Sequence, residues 1–203
     1  EYYVKDIIGQ NVTASCGIAI ADVKYPIRYL QRLAEGSLKR AKKKAKEDLE
    51  NSKSAIDFIW LPNPVLSESI EALAGYYHRN DRSLTARPYS LKEARDLDRL
   101  AKQALKIPRS QRHIWGEALE RGVHASRNAI FYNIARMKED KRNEFENLLK
   151  EVTNLAAPKA PQSIWVERKK GETTQYCTAL LDVLELAELL SMSKDLTQKE
   201  ERK

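Results

Sequence analysis

The sequence predicts an α+β chain: a strand–long helix–strand unit followed by an all-α helical bundle. Three observations predict it. β-compatible runs fall early, at the uncharged Val12 to Ala21 and at Ser54 to Leu61, rich in β formers. Between them, apolar residues recur at steps of three and four over a long stretch. Beyond Ser90 the helical step returns again and again, in a chain with only seven Gly and seven Pro.

The elements follow in order. "VTASCGIAIA" reads as a buried strand, with Gly17 where a neighbouring backbone comes close. Pro26 fits the first turn of a helix. Ile27, Leu30, Ala34, Leu38, Ala41, Ala45 and Leu49 then form one apolar stripe along it. "SAIDFIWL" is the second strand, ended by Pro62 and Pro64. This unit, residues 1–62, has to pack into a larger sheet. Residues 63–88 read as a connector with one short helix, Leu66 to Leu73. Residues 89–203 form the helical domain. "SLKEARDLDRLAKQAL" opens on a capping box, Ser90 with Glu93. "IPRSQRHIWGEALERG" is stopped by Gly122. "ASRNAIFYNIARM" and "RNEFENLLKEV" continue the pattern until Pro158 and Pro161. "SIWVERKKGE" is a short extended excursion turning at Gly171, and Tyr176 to Met192 is a strongly apolar last helix.

With 36 basic and 29 acidic residues the net charge is +7, which favours an anionic partner: nucleotide, RNA or an acidic protein. Two cysteines give no disulfide framework, and a reducing compartment is the simpler reading. No run of 18 apolar residues predicts a membrane span, and no signal peptide is recognisable. The abrupt opening at Glu1 reads as a piece of something longer.

The densest chemistry is the run Lys39 to Lys46, where six of eight residues are basic. One reading is a solvated face near the helix C-terminus, where cations suit the dipole. The other is a phosphate contact. Leu38, Ala41 and Ala45 lie on the apolar stripe, so Lys42 is expected beside the buried face, held close to the sheet as a point charge. Lys24 and Tyr25, just before Pro26, are weaker nucleotide candidates. Ser15 offers a hydroxyl on the core strand, for a ligand or for the backbone. Asp22 and Asp57 are expected near strand ends without partners at metal spacing, so no metal ligand is assigned. His78, His113 and His124 have no metal-like spacing. Arg79, Arg82 and Arg87 lie among Tyr76, Tyr77 and Tyr89, and Arg109 and Arg112 flank "SQ". Cations mixed with aromatics hold phosphates and stack bases, and also occur in helix caps and domain seams. Trp115 and Trp165 read as core or interface anchors.

"VTASCGIAIA" resembles the "T-x-S-x-G-x-A" strand of GGDEF-type nucleotide cyclases. "AEGSLKRAK", Ala34 to Lys42, is similar to their "A-D-x-A-L-Y-x-A-K" element. Ala34, Leu38, Ala41 and Lys42 match, Glu35 replaces Asp, Lys39 stands at the usual tyrosine, and the following "G-R-N" is absent. A wider resemblance covers "GIAIADVKYPIRYLQRLAEGSLKRAK", "SAIDF", "LTARPYSL" and "PRSQRH" in order. It is to the C-terminal part of the large subunit of type III CRISPR effector complexes. The resemblance implies half of a ferredoxin-like, cyclase-type Palm followed by a helical C-terminal domain. It implies ATP as substrate with Mg or Mn, and target-RNA-activated synthesis of cyclic oligoadenylate, with Lys42 on nucleotide phosphates. It also implies small helical and backbone subunits, guide RNA and target RNA as partners, and a prokaryotic cytoplasm. The family's Gly-Gly-Asp-Asp turn is absent, since the chain contains no Gly-Gly, and no His is followed by Asp. A catalytically decayed assembly module and a stand-alone cyclase-like signalling enzyme are the alternatives.

Overall fold

The computed structural model describes residues 13–47, 54–62, 73, 76–79, 81–157, 163–170 and 173–200. The expected connector helix lies outside these residues except for Leu73. The chain divides into two compact units: residues 1–75 with 87–94, and residues 76–86 with 95–203. The expected connector is thus shared between them rather than standing apart.

The first unit is built on β1 (Ser15–Ala21), α1 (Ile27–Glu47), β2 (Ala55–Leu61) and β4 (Tyr89–Ser90). Its sheet has the order β1-β2-β4. β1 and β2 run parallel in register from Ser15↔Ala55 to Ala21↔Leu61, and β4 is antiparallel to β2. A parallel pair needs a crossover long enough to return the chain, and α1 supplies it. Side chains alternate across a strand. Ala55, Asp57, Ile59 and Leu61 therefore share one face of β2, and all four are buried. Ile56 and Trp60 on the other face are half-buried. α1 packs on β1, β2 and β4.

Gly17 decides how closely α1 sits. A Cβ on Gly17 would lie 2.2 Å from the Leu38 nitrogen and 2.4 Å from the Ala34 oxygen. Helix backbone rests directly on strand backbone, which only glycine permits. The face buried here is Leu33, Ser37 and Ala41. Leu30, Ala34, Leu38 and Ala45 of the expected stripe are half-buried and Ile27 is exposed.

The second unit carries β3 (Arg82–Ser83), α3 (Arg109–Arg121), α4 (Val123–Ala135), α5 (Glu139–Ala156), β5 (Val166–Lys170), β6 (Thr173–Cys177) and α6 (Leu180–Glu200). Helix α2 (Leu91–Ala104) starts in the first unit and continues into the second. Its capping box is formed: the Ser90 amide donates to Glu93 Oε2 at 2.7 Å, and the Glu93 amide to Ser90 Oγ at 3.4 Å. Gly122, at φ 123°, ends α3 and lets α4 begin at once. Trp115, Leu119, Ile130, Ile134, Leu149 and Trp165 form the centre of the core. Trp165 Nε1 donates to Ser126 Oγ at 2.8 Å, while the equally buried Trp115 Nε1 has no partner among the described residues; both tryptophans lie in the core.

The bundle is not all-α. A sheet of order β3-β6-β5 completes it, with β3 parallel and β5 antiparallel to β6. Within the expected excursion, Val166–Lys170 is β5, antiparallel to β6, and the expected turn at Gly171 lies outside the described residues. Tyr176, placed by the sequence in the last helix, lies in β6, and α6 starts at Leu180. The β-branched Thr173-Thr174 favours extension, and pairing from both sides holds it.

Candidate functional site

α1 sorts the basic run by direction. The Arg40 Nε donates to Asp57 Oδ2 at 2.6 Å. Lys44 Nζ donates to the Pro88 carbonyl at 2.7 Å and to Glu93 Oε2 at 2.8 Å. These two residues are four apart, on one side of the helix. Lys39, Lys42, Lys43 and Lys46 are exposed, and none of them makes an ion pair among the described residues.

The expectation for Lys42 therefore needs correction. The cations held toward the sheet are Arg40 and Lys44, and Lys42 faces solvent. The buried face runs through Ser37 and Ala41 rather than along Ala34, Leu38 and Ala45. That rotation brings positions 40 and 44 inward and carries 42 outward.

Asp57 is the reason. It is not at the strand end expected from the sequence: it lies mid-β2, fully buried, opposite Gly17. Side chains of register partners in a parallel pair share a face, so Gly17 admits α1 where Asp57 receives Arg40. Burial pushes the Asp57 carboxyl up, and the Arg40 guanidinium, with Arg87 farther off, offsets only part of that. Its Oδ1 has no hydrogen-bond partner among the described residues. For Glu93, burial acts upward too, but the Lys44 ammonium and the Ser90 amide and hydroxyl outweigh it and lower the carboxyl.

The four nucleotide candidates fall at two ends of the first unit. Lys24 is exposed, its amide bonded to Asp22 Oδ1 at 2.9 Å in the turn before α1. Tyr25, in the same turn, is buried. Lys42 lies fifteen residues beyond Ile27, about 22 Å along the helix axis at 1.5 Å per residue. Ser15 is half-buried at the start of β1. Because α1 runs back over the sheet, with Ala34 and Leu38 above Gly17, Ser15 belongs to the Lys42 end. Lys24 and Tyr25 are too far from Lys42 for one triphosphate to reach both.

The arginine candidates are mostly engaged internally. Arg87 donates to the Phe58 carbonyl at 2.8 Å and stacks over the Phe58 ring, 4.1 Å from its centroid. Arg82 bonds both Asp81 carboxylate oxygens at 3.0 Å and the Glu120 carbonyl at 2.7 Å. Arg112 is buried; it donates to the Ile107 carbonyl at 2.9 Å and to Glu188 Oε2 at 3.1 Å. Arg109 reaches the other oxygen of Glu188 at 2.6 Å. Only Arg79 of the five is exposed without an ion pair among the described residues. Tyr77 and Tyr89 are core residues rather than base platforms. Burial and the hydrogen bond to Glu120 push the half-exposed Tyr76 hydroxyl up to about 12.

The sequence reading missed the column of acids on α6. Asp182, Glu185 and Glu188 are all buried. Asp182 accepts from Thr85 Oγ1 at 3.0 Å and the Ala86 amide at 2.9 Å. Glu185 accepts from the Tyr77 hydroxyl at 3.2 Å, and Glu188 takes Arg109 and Arg112 of α3. Their spacing of three was a visible signal, masked by the apolar residues around them.

The four outward lysines form four like-charged pairs at spacings of three and four: 39–42, 39–43, 42–46 and 43–46. Each costs the helix about 0.2–0.5 kcal/mol, partly offset by the dipole. Among the described residues no three His, Cys, Asp or Glu side chains gather as a metal site would need. No helix among them is long and apolar enough to cross a membrane. No protein-family model matches the chain, and no curated protein matches it.

Proposed function

We propose that this chain is part of the large subunit of a type III CRISPR interference complex. In that reading it contributes one side of the ATP site for target-RNA-activated cyclic oligoadenylate synthesis. One observation carries the reading. The two segments that resemble cyclase motifs are in direct contact, with Gly17 of the strand motif under Ala34 and Leu38 of the helix motif. Lys42, one turn beyond Leu38, is exposed and unpaired among the described residues, so its ammonium is available to a phosphate.

In this assignment Lys42 binds a nucleotide phosphate and Ser15 lies at the same end of the unit. A ribose 3′-hydroxyl would attack the α-phosphate, forming the new O–P bond as the bond to pyrophosphate breaks and the hydroxyl proton passes to solvent; bound Mg or Mn would supply charge neutralisation. The carboxylates for it belong to a Gly-Gly-Asp-Asp turn that these 203 residues do not contain. Small helical and backbone subunits, guide RNA and target RNA are the partners, in a prokaryotic cytoplasm. Of the five candidate arginines, Arg79, exposed and without an ion pair among the described residues, is the one assigned to RNA.

A second reading is an assembly module whose cyclase core has decayed. The internal engagement of Arg40, Lys44, Arg82, Arg87 and Arg112 favours it, because these cations hold the fold rather than a ligand.

Lys42→Ala in the full-length protein, assayed with target RNA, separates the two. The expected result is at least a tenfold fall in ATP conversion, with guide RNA still co-purifying. Unchanged conversion removes Lys42 from the site. Absence of any conversion in the unmutated complex favours the assembly module.

A further inference from the structure

We propose that the outer face of α1 is a docking ridge for the phosphate backbone of a single-stranded nucleic acid, with Lys39, Lys43 and Lys46 as its contacts. The proposal is independent of the ATP reading and stands if Lys42 proves to have no nucleotide role.

Three observations lead to it. The first is the sorting of charge. Arg40 and Lys44 are bound to Asp57, the Pro88 carbonyl and Glu93, so the inner cations are taken up within the unit. The outer four make no ion pair among the described residues; no acid stands between Lys39 and Lys46, and the exposed Glu47 follows at the helix end. Glu35, the nearest acid before them, already accepts from Gln31 Nε2 at 3.0 Å.

The second is spacing. Positions 39, 43 and 46 follow one side of the helix, with neighbouring Cβ atoms about 5–6 Å apart. Consecutive phosphates along one strand repeat on a similar scale, so a strand laid along the ridge meets a lysine at successive phosphates. A compact triphosphate engages one or two such residues; a polymer engages the row.

The third is rigidity. α1 is fixed on the sheet by backbone contact at Gly17 and by the two inner ion pairs. The ridge is thus held straight before any ligand arrives. Like charges kept side by side in the free protein repel, and a polyanion relieves that repulsion while releasing its own counterions.

The test uses the full-length protein with oligouridylate and oligothymidylate of equal length, titrated by fluorescence anisotropy at several salt concentrations. Binding is expected for at least one of them. Lys39→Gln/Lys43→Gln/Lys46→Gln should weaken it at least tenfold. The slope of log K against log salt should become shallower by about 2, since each single-strand phosphate contact contributes about 0.7. The charge-matched control Lys138→Gln/Lys141→Gln/Lys150→Gln, exposed lysines of the second unit, should change affinity less than twofold. RNA or DNA is then named by whichever oligonucleotide binds more tightly.

No binding of either oligonucleotide overturns the proposal. So does an equal loss in the control triple, which would reduce the effect to net charge. A polyglutamate that displaces the oligonucleotide at equal charge concentration moves the face to an acidic protein partner and also overturns it. Circular dichroism of both triples confirms the fold, and Gln, with a helix propensity close to that of Lys, leaves α1 intact.

Discussion

The two units treat charge in opposite ways. In the first, α1 carries a basic run and splits it, with Arg40 and Lys44 turned to the sheet and four lysines turned to solvent. In the second, α6 draws Asp182, Glu185 and Glu188 inside and satisfies each from another element. Burial of a carboxylate is costly unless hydrogen bonds or cations replace water. The second unit therefore uses charge to fix how its parts fit, while the first keeps a surplus outside. Where charge is internal, substitution threatens the fold; where it is external, substitution leaves the fold in place.

The largest expected effect breaks the inward case. Arg112→Ala removes the buried partner of Glu188 and should cost about 3–5 kcal/mol, toward the lower end because Arg109 remains. A urea titration followed by circular dichroism measures it. If the cost is under 1 kcal/mol, Arg109 alone satisfies Glu188 and the contrast between the units weakens.

Gly17→Ala comes next. A methyl group there meets helix backbone rather than a movable side chain, so α1 must lift, at about 1–3 kcal/mol. Hydrogen exchange should accelerate in β1, α1 and β2 and stay unchanged in α3 to α6. Acceleration throughout would show that the units do not open separately.

A pH series sharpens the comparison at Glu93, whose carboxyl is held below its ordinary value. Its stabilising contribution is fully present above the unfolded value of 4.5 and is lost as pH falls through the lower folded value. Glu93→Gln should flatten the acid limb of the stability curve in that window and leave the neutral region parallel to wild type. The smallest effect is at the surface: Lys43→Gln removes two repulsive pairs, with Lys39 and Lys46, and should raise stability by about 0.5 kcal/mol. A loss of similar size would mean that these lysines have internal partners.

Local signals were legible in the sequence. The capping box at Ser90 and Glu93, the close approach at Gly17, the stop at Gly122 and the two strands flanking α1 each rest on a few adjacent residues. What escaped depends on distant residues. The inward turn of Arg40 required knowing that Asp57 lies opposite Gly17, a fact of strand register. A stripe drawn through Leu and Ala alone could not show that Ser37 and two cations share the buried side. β3 has two residues and no pattern of its own; it exists because Arg82 and Ser83 pair with Tyr176 and Cys177. The acids of α6 look like breaks in an apolar helix until Thr85, Tyr77 and Arg112 are seen to meet them. Of the candidate site, the lysine run was legible as a cluster, while the direction of each member was not.

The contact at Gly17 has a consequence in time. Side-chain packing breathes, because rotamers hop and let solvent through. Peptide plane against peptide plane has no such hinge, so the seam between β1 and the middle of α1 opens only by separating whole. The Leu38 amide should then be among the slowest protons to exchange in the first unit, a clock set by the parting of strand from helix.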